Sequence, residues 1–288
     1  AQKREHLPPT ARGEVAWCQG YSEPGAGSDL AGLQSYAEDH GDHFILNGAK
    51  IWTSGANHAD WMFCLVRTDR DVPKHEGISF VVFSMDSSGV STRPIEMING
   101  ASPFCQTFFD NVRIPKSNLI GKLNQGWTVG KRLLQHERSG LAALASADTA
   151  GAMQRIKPAL PMPELLRHYS AMLRSTDSRL RRDLIDIEML RRSFVLTQQR
   201  AVQETEADTP GAATSIFKYV EANYVEAQLE AQLRIRGSQG VGWQGDAFTD
   251  EEIAMCRLWL EAKSISIAGG SNEVQLNIIA KRVLGLPD

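Results

Sequence analysis

The chain changes its hydrophobic rhythm once, near Gly121, and that change limits what it can fold into. Before it lie short runs rich in β-branched and aromatic residues: Phe44 to Trp52, Trp61 to Thr68, Gly77 to Met85, Val90 to Met97 and Thr107 to Ile114. Clusters of Gly, Pro, Asp and Ser separate them, the pattern of strands joined by turns. Asn47-Gly48 inside the first run predicts a two-residue hairpin, because both residues tolerate positive φ. Beyond Gly121 the apolar residues recur every three or four positions in Trp127 to Met153, Pro163 to Glu204, Ala212 to Ile235 and Glu251 to Ile267. That spacing places them on one face of an amphipathic helix. Asp208-Thr-Pro210 offers a cap followed by an early-helix proline, and Lys157-Pro-Ala-Leu-Pro-Met-Pro163 predicts a turn between helices. The expected fold class is therefore α+β: a β-barrel or sandwich domain over residues 1–120, then an antiparallel helical bundle over 121–288.

Charge excludes some partners. Lys and Arg total 31 against 34 Asp and Glu, so the net charge of -3 provides no whole-chain attraction for nucleic acid or an anionic membrane surface. Cys18, Cys64, Cys105 and Cys256 lie far apart, without metal-ligand spacing, and read as buried reduced thiols. No apolar run approaches the roughly 20 residues of a membrane span, and the polar stretch from Ala1 to Arg12 lacks a secretory core. These features predict a soluble, cytoplasmic protein with no metal site and no membrane contact.

Several segments could carry chemistry. In Ser22-Glu-Pro-Gly-Ala-Gly-Ser-Asp29, small residues beside a hydroxyl let backbone N–H groups approach a ligand, although such a stretch is by itself a turn. Trp52-Thr-Ser54 adds an indole plane and two hydroxyls, suited either to a flat cofactor or to a sheet core. Gly240-Val-Gly-Trp-Gln-Gly245 fits the dinucleotide-binding spacing, but it follows a helical stretch instead of a strand, so it reads as a glycine-rich helix exit. Glu137, His136 and the basic run Arg179 to Arg182 read first as solvated helix faces. Gly269-Gly-Ser-Asn272 separates two helical stretches, where it could stop one helix and cap the next or hold a phosphate.

Taken together and in order, these segments resemble those of the acyl-CoA dehydrogenase family from about Glu14 to the end. The Ser22 loop is similar to the family's flavin-contacting segment, and Lys50-Ile-Trp-Thr-Ser54 to its companion strand. Arg234-Ile-Arg-Gly-Ser-Gln-Gly240 resembles the segment that reaches a neighbouring subunit's flavin. Ile267-Ala-Gly-Gly-Ser-Asn-Glu-Val-Gln275 resembles the C-terminal signature. The resemblance implies FAD as cofactor, with Gln19, Ser22, Trp52, Thr53 and Ser54 at the isoalloxazine. Arg234, Gly237, Ser271, Asn272 and Glu273 would serve the rest of the cofactor. Ser28, Gln135, Arg138 and Gly270 would meet the acyl-CoA substrate. It further implies an electron-transfer flavoprotein as acceptor and a homodimer or homotetramer.

The base takes one of two positions in this family. Many members carry a Glu directly before the Gly-Ser of the signature, where this chain has Gly269. Isovaleryl-CoA and long-chain members carry it in a Leu-x-x-Glu-Arg context instead, and Leu134-Gln-His-Glu-Arg138 resembles that arrangement. Glu137 is thus the expected base, removing the α proton while a β hydride leaves for the flavin. Hydrogen bonds to the thioester oxygen would stabilise the developing enolate. Two departures stand out: the family's helical N-terminal domain is not represented, and the proline-rich stretch from Lys157 replaces an Arg-x-x-Phe-Gly segment. A catalytically silent subunit of a hetero-oligomer and an acyl-CoA oxidase are the alternatives.

Overall fold

The computed structural model describes residues 1–134, 167, 178–206 and 215–287, which form two compact units. One unit holds the strands, and the other holds the helices from Ser178 onward.

Seven strands form one curled sheet: β1 (Trp17–Gly20), β2 (Tyr36–Asp39), β3 (His43–Ser54), β4 (Trp61–Arg67), β5 (Ile78–Ser84), β6 (Val90–Ile95) and β7 (Phe104–Pro115). β4 is antiparallel to β5 along its length. It is parallel to β1, with Trp17 opposite Trp61, and meets β2 where Tyr36 faces Arg67. β2, β3, β7 and β6 continue the sheet with antiparallel pairings. One face buries Cys18, Phe44, Leu46, Met62, Cys64, Val81, Phe83, Cys105, Phe109 and Ile114. The other buries Tyr21, Leu33, Leu65, Ile78, Phe80 and Val82, with Trp127, Leu133 and Leu134 of α2 (126–134) packed against them. β4 and β5 are buried on both faces, which is why they read as continuous apolar runs instead of alternating ones.

Asn47-Gly48 does not make the predicted hairpin. β3 runs unbroken through it, and the strand register against β7 shifts between Leu46 and Gly48. The permissive dihedral of Gly48 serves a β-bulge, in which Asp110 and Asn111 of β7 stand against Asn47 alone and the extra residue bends the pair of strands without reversing β3. Gly48 has φ 141°, and a Cβ there would sit 2.7 Å from the Cα of Ser35.

α1 (Gln2–Ala11) was also not legible, because Pro8 and Pro9 lie inside it. Tertiary contacts outweigh that poor propensity. Gln2 donates to the carbonyls of Ser117 and Leu119 at 2.6 and 2.9 Å, the Trp17 indole donates to the Thr10 hydroxyl, and His6 packs edge-on against Trp17 and Trp61.

In the helical unit, α3 (Ser178–Glu206), α4 (Phe217–Arg236) and α5 (Asp250–Ala262) pack around Leu184, Ile187, Val225, Leu229, Met255 and Leu258. Their order is antiparallel: Asp183 meets Arg234, while Phe194 meets Phe217, and Arg236 pairs with Glu251 while Glu226 lies near Lys263. Gly237, at φ 57°, ends α4. Thr249 starts α5 with a capping box, exchanging side-chain and backbone bonds with Glu252. A short α6 (Asn272–Ile278) follows, capped by the Ser271 hydroxyl. The predicted turn at Lys157 to Pro163 and the cap at Asp208 to Pro210 lie outside the described residues. Among the described residues no helix is long and apolar enough to cross a membrane.

A methyl group at residue 48 meets both an unfavourable φ and the Ser35 backbone. Gly48→Ala should therefore lower unfolding free energy by about 2–4 kcal/mol in a urea titration.

Candidate functional site

Strand β3 presents its side chains alternately to the two sheet faces, and the alternation breaks where the site begins. Phe44, Leu46 and Lys50 point inward. A strict period of two would send Trp52 inward as well. Instead the register against β7 shifts between Lys50 and Thr53, Trp52 takes φ 60°, and Thr53 becomes the buried residue. The indole of Trp52 is thereby turned out, 50% exposed, with its ring edge-on to Phe104 at 6.0 Å. Positive φ in a bulky residue costs on the order of 1–3 kcal/mol and persists only where neighbours enforce it.

Those neighbours lie on both sides of the bulge. After it, the Thr53 hydroxyl donates to the carbonyl of Cys105 at 2.7 Å and lies 2.8 Å from the Thr107 hydroxyl. Before it, Lys50 is wholly buried, its Nζ donating to Glu23 Oε1 at 2.7 Å and to the carbonyl of Tyr21 at 3.2 Å. Glu23 is itself a hub, since its carboxylate also accepts from the backbone N–H of Gln34 at 2.6 Å and of Ser35 at 2.9 Å. Burial pushes the Glu23 carboxyl upward, but the Lys50 charge, its hydrogen bond and the two backbone donors outweigh that and hold it below the ordinary carboxylate range. The Ile51 N–H donates to the carbonyl of Ser22 at 2.9 Å, laying the Ser22 loop beside the strand. Within the loop, Glu23 and Ala26 exchange backbone bonds.

The sheet unit thus brings together Ser22, Trp52, Thr53 and Ser54, with Gln19 half-buried on β1 just before the loop. The Thr53 side chain faces the sheet interior, whereas Ser54 is exposed at the strand end. Ser28 is exposed further along the loop, next to Asp29, which pairs with Lys74. The loop's far end is fastened by buried Arg67, whose guanidinium donates to the carbonyls of Ala31 and Lys74 at 2.6 Å each. Burial lowers its pKa.

In the helical unit, Arg234 pairs with Asp183, and Gly237 ends α4 with open space where a side chain would begin. Gly270 has φ 95°, and Ser271 caps α6. Asn272 places its Oδ1 in the interior without a hydrogen-bond partner among the described residues, an acceptor that a ligand donor would satisfy. Glu273 is exposed, and its own backbone N–H followed by the Ser271 hydroxyl draws its carboxyl below the usual range. Gly240 to Gly245 follows α4 and not a strand, so the dinucleotide-fold spacing is incidental. Gln135, His136, Glu137 and Arg138 lie outside the described residues. Glu23, Lys50 and Arg67 are the residues that reading the sequence for function overlooked. The one available signal was a lysine at an inward position of β3.

In the sheet unit, an outward indole beside a hydroxyl-bearing loop fits a flat ring with polar edges. The family models agree with the fold. Residues 18–112 match the acyl-CoA dehydrogenase middle domain, and residues 124–284 match the acyl-CoA dehydrogenase C-terminal domain. The chain belongs to the acyl-CoA dehydrogenase family, a family of flavoprotein oxidoreductases.

It is 34% identical to acyl-CoA dehydrogenase FadE34 of Mycobacterium tuberculosis, over 99% of this chain and 37% of that protein. Acyl-CoA dehydrogenase IpdE1 of the same organism is 34% identical, over 99% of this chain and 71% of that protein. Among solved structures, the Tcur3481-Tcur3483 steroid ACAD superposes with a TM-score of 0.86 at 30% identity, covering 99% of this chain and 72% of that one. The ChsE4-ChsE5 complex from Mycobacterium tuberculosis gives a TM-score of 0.82 at 28% identity, covering 100% of this chain and 73% of that one.

Removing one partner of the buried pair strands the other's charge. Lys50→Met should cost about 3–5 kcal/mol of stability. Because the folded carboxyl of Glu23 is depressed, the pair's stabilisation is complete above the unfolded carboxylate pKa, about 4, and fades as pH falls through the lower folded value. Urea midpoints measured between neutral and acid pH should drop more steeply for the wild type than for Glu23→Gln.

Proposed function

We propose that this chain supplies the flavin-facing and base-bearing parts of an acyl-CoA dehydrogenase that introduces a double bond between the α and β carbons of an acyl-CoA thioester. The observation that carries this reading is Trp52, turned outward at φ 60° beside the Ser22 loop. Its segment is the one that resembles the family's flavin-facing strand. FAD, when bound, supplies the acceptor for the β hydride.

The chain's own residues do the rest. Glu137 takes the α proton onto its carboxylate, so that loss of proton and hydride together leaves the new carbon–carbon double bond. Gln19, Ser22, Trp52 and Ser54 would bound the isoalloxazine, with Thr53 fixing the strand that carries Trp52. Ser271, Asn272 and Glu273 would hold the dinucleotide, and Arg234 and Gly237 would reach the cofactor of a second subunit. Ser28, Gln135, Arg138 and Gly270 orient the thioester and its CoA portion. An electron-transfer flavoprotein in the cytoplasm would be the final electron acceptor in this reading. The solved steroid ACAD, at 30% identity, puts bulky, polycyclic acyl groups first among the substrates to try.

The subunits assemble as a homodimer or homotetramer in this reading. A second reading is favoured by one comparison: the ChsE4-ChsE5 relative is a complex of two differently named chains. In such an assembly this chain could serve as a silent flavin- or partner-binding subunit. An acyl-CoA oxidase would differ in letting oxygen reach the reduced flavin.

The test is an anaerobic absorption titration of the protein with FAD and a panel of acyl-CoA thioesters. The flavin band should bleach with at least one thioester, and Glu137→Gln should bind flavin normally while reducing the bleaching rate by about a thousandfold or more, the scale of losing a general base and its positioning. Undiminished bleaching in that variant removes Glu137 from the mechanism. Bound flavin that no thioester reduces supports the silent subunit, and oxygen uptake without added acceptor supports the oxidase.

A further inference from the structure

We infer that the buried Glu23–Lys50 pair is a positioning device for Trp52, setting the angle at which the strand offers its indole to a planar ligand. The inference deepens the proposed function and rests on it for the identity of that ligand. It does not rest on it for the geometry.

Three observations point the same way. The pair sits directly before the bulge: Lys50 is the last inward residue of β3 with regular register, and Trp52 is the residue that the shift turns outward. The pair is also more tightly fastened than a sheet needs. Lys50 is 0% and Glu23 8% exposed, and the carboxylate gathers Lys50 together with the N–H groups of Gln34 and Ser35. An apolar side chain at residue 50 would fill the same space without charge burial, and replacing a buried ion pair by apolar groups is often neutral or stabilising. Finally, the lysine reaches Tyr21 and Glu23, which flank Ser22, while the Ile51 N–H holds the Ser22 carbonyl. One ammonium therefore ties the loop on either side of Ser22 to the strand residue two places before Trp52. With Thr53 pinned to Cys105 and Thr107, Trp52 is held between two fixed points in a backbone conformation it would not otherwise adopt.

A purely structural pair and a positioning pair make different predictions for a charge-free replacement. The double variant Glu23→Gln/Lys50→Met removes both charges and strands neither. Its midpoint of thermal unfolding should fall less than that of Lys50→Met, because no charge is stranded and only a backbone donor and the Tyr21 carbonyl lose a partner. The ¹⁹F resonance of Trp52 in protein labelled with 5-fluorotryptophan, assigned through Trp52→Phe, should shift or broaden. The dissociation constant for FAD, read from quenching of flavin fluorescence, should rise at least tenfold.

Glu23→Asp keeps the charge but shortens the link, and it serves if the double variant does not fold. It should move the same resonance and weaken FAD in the same direction. A folded variant of either kind with the wild-type Trp52 resonance and wild-type FAD affinity overturns the positioning role. If the wild type itself binds no FAD, the cofactor reading fails separately, and the fluorine resonance still decides whether the pair sets Trp52.

Discussion

An ammonium group buried in a β-sheet must be met by an opposite charge and by acceptors, or the strand that carries it will not fold as observed. Lys50 meets Glu23 and the Tyr21 carbonyl, and Glu23 in turn organises the backbone at Gln34 and Ser35. Much of the candidate site follows from that arrangement. It fixes where the Ser22 loop lies, it anchors β3 just before its register shift, and it draws Ser35 against Gly48, where no side chain would fit. The loop is glycine-rich, and its own chemistry would leave it mobile. Charge at its base and Arg67 at its far end give it one place to be.

The same region explains why the sequence could be read only in part. β4 and β5 were legible because burial on both faces demands apolar residues at every position, a signal that survives without knowing the partner strands. The helices of the second unit were legible for the complementary reason: their apolar residues recur at helical spacing, whereas their ends at Thr249 and Gly237 emerged only from the structure. Asn47-Gly48 misled because positive φ is common to turns and bulges, and only the pairing with β7 distinguishes them. α1 was hidden by Pro8-Pro9, since what holds it comes from Ser117, Leu119, Trp17 and Trp61, far away in sequence or invisible to local propensity.

For the site, residue types announced themselves and their arrangement did not. Trp52 could be noticed as an aromatic beside hydroxyls, yet whether it faced the core or the outside depended on a one-residue register shift that no period-two reading contains. Thr53 illustrates the opposite outcome. Its hydroxyl looked available, and the shift turned it inward to Cys105 and Thr107. Glu23 and Lys50 are 27 residues apart, and neither is unusual alone. Their pairing appears only once β3 runs alongside the Ser22 loop.

The thiols of the sheet unit carry a consequence of their own. Cys18, Cys64 and Cys105 are free and share one core cluster, and burial raises the first two to about 12. All three are buried and give an electrophile no access while the sheet is closed. Cys256 is only partly covered and belongs to the helical unit. The three core thiols therefore form a built-in clock for the sheet unit: their alkylation is paced by the rate at which the sheet opens, whereas Cys256, already partly accessible, reacts without that step and serves as the internal reference in mass spectrometry of one timed reaction.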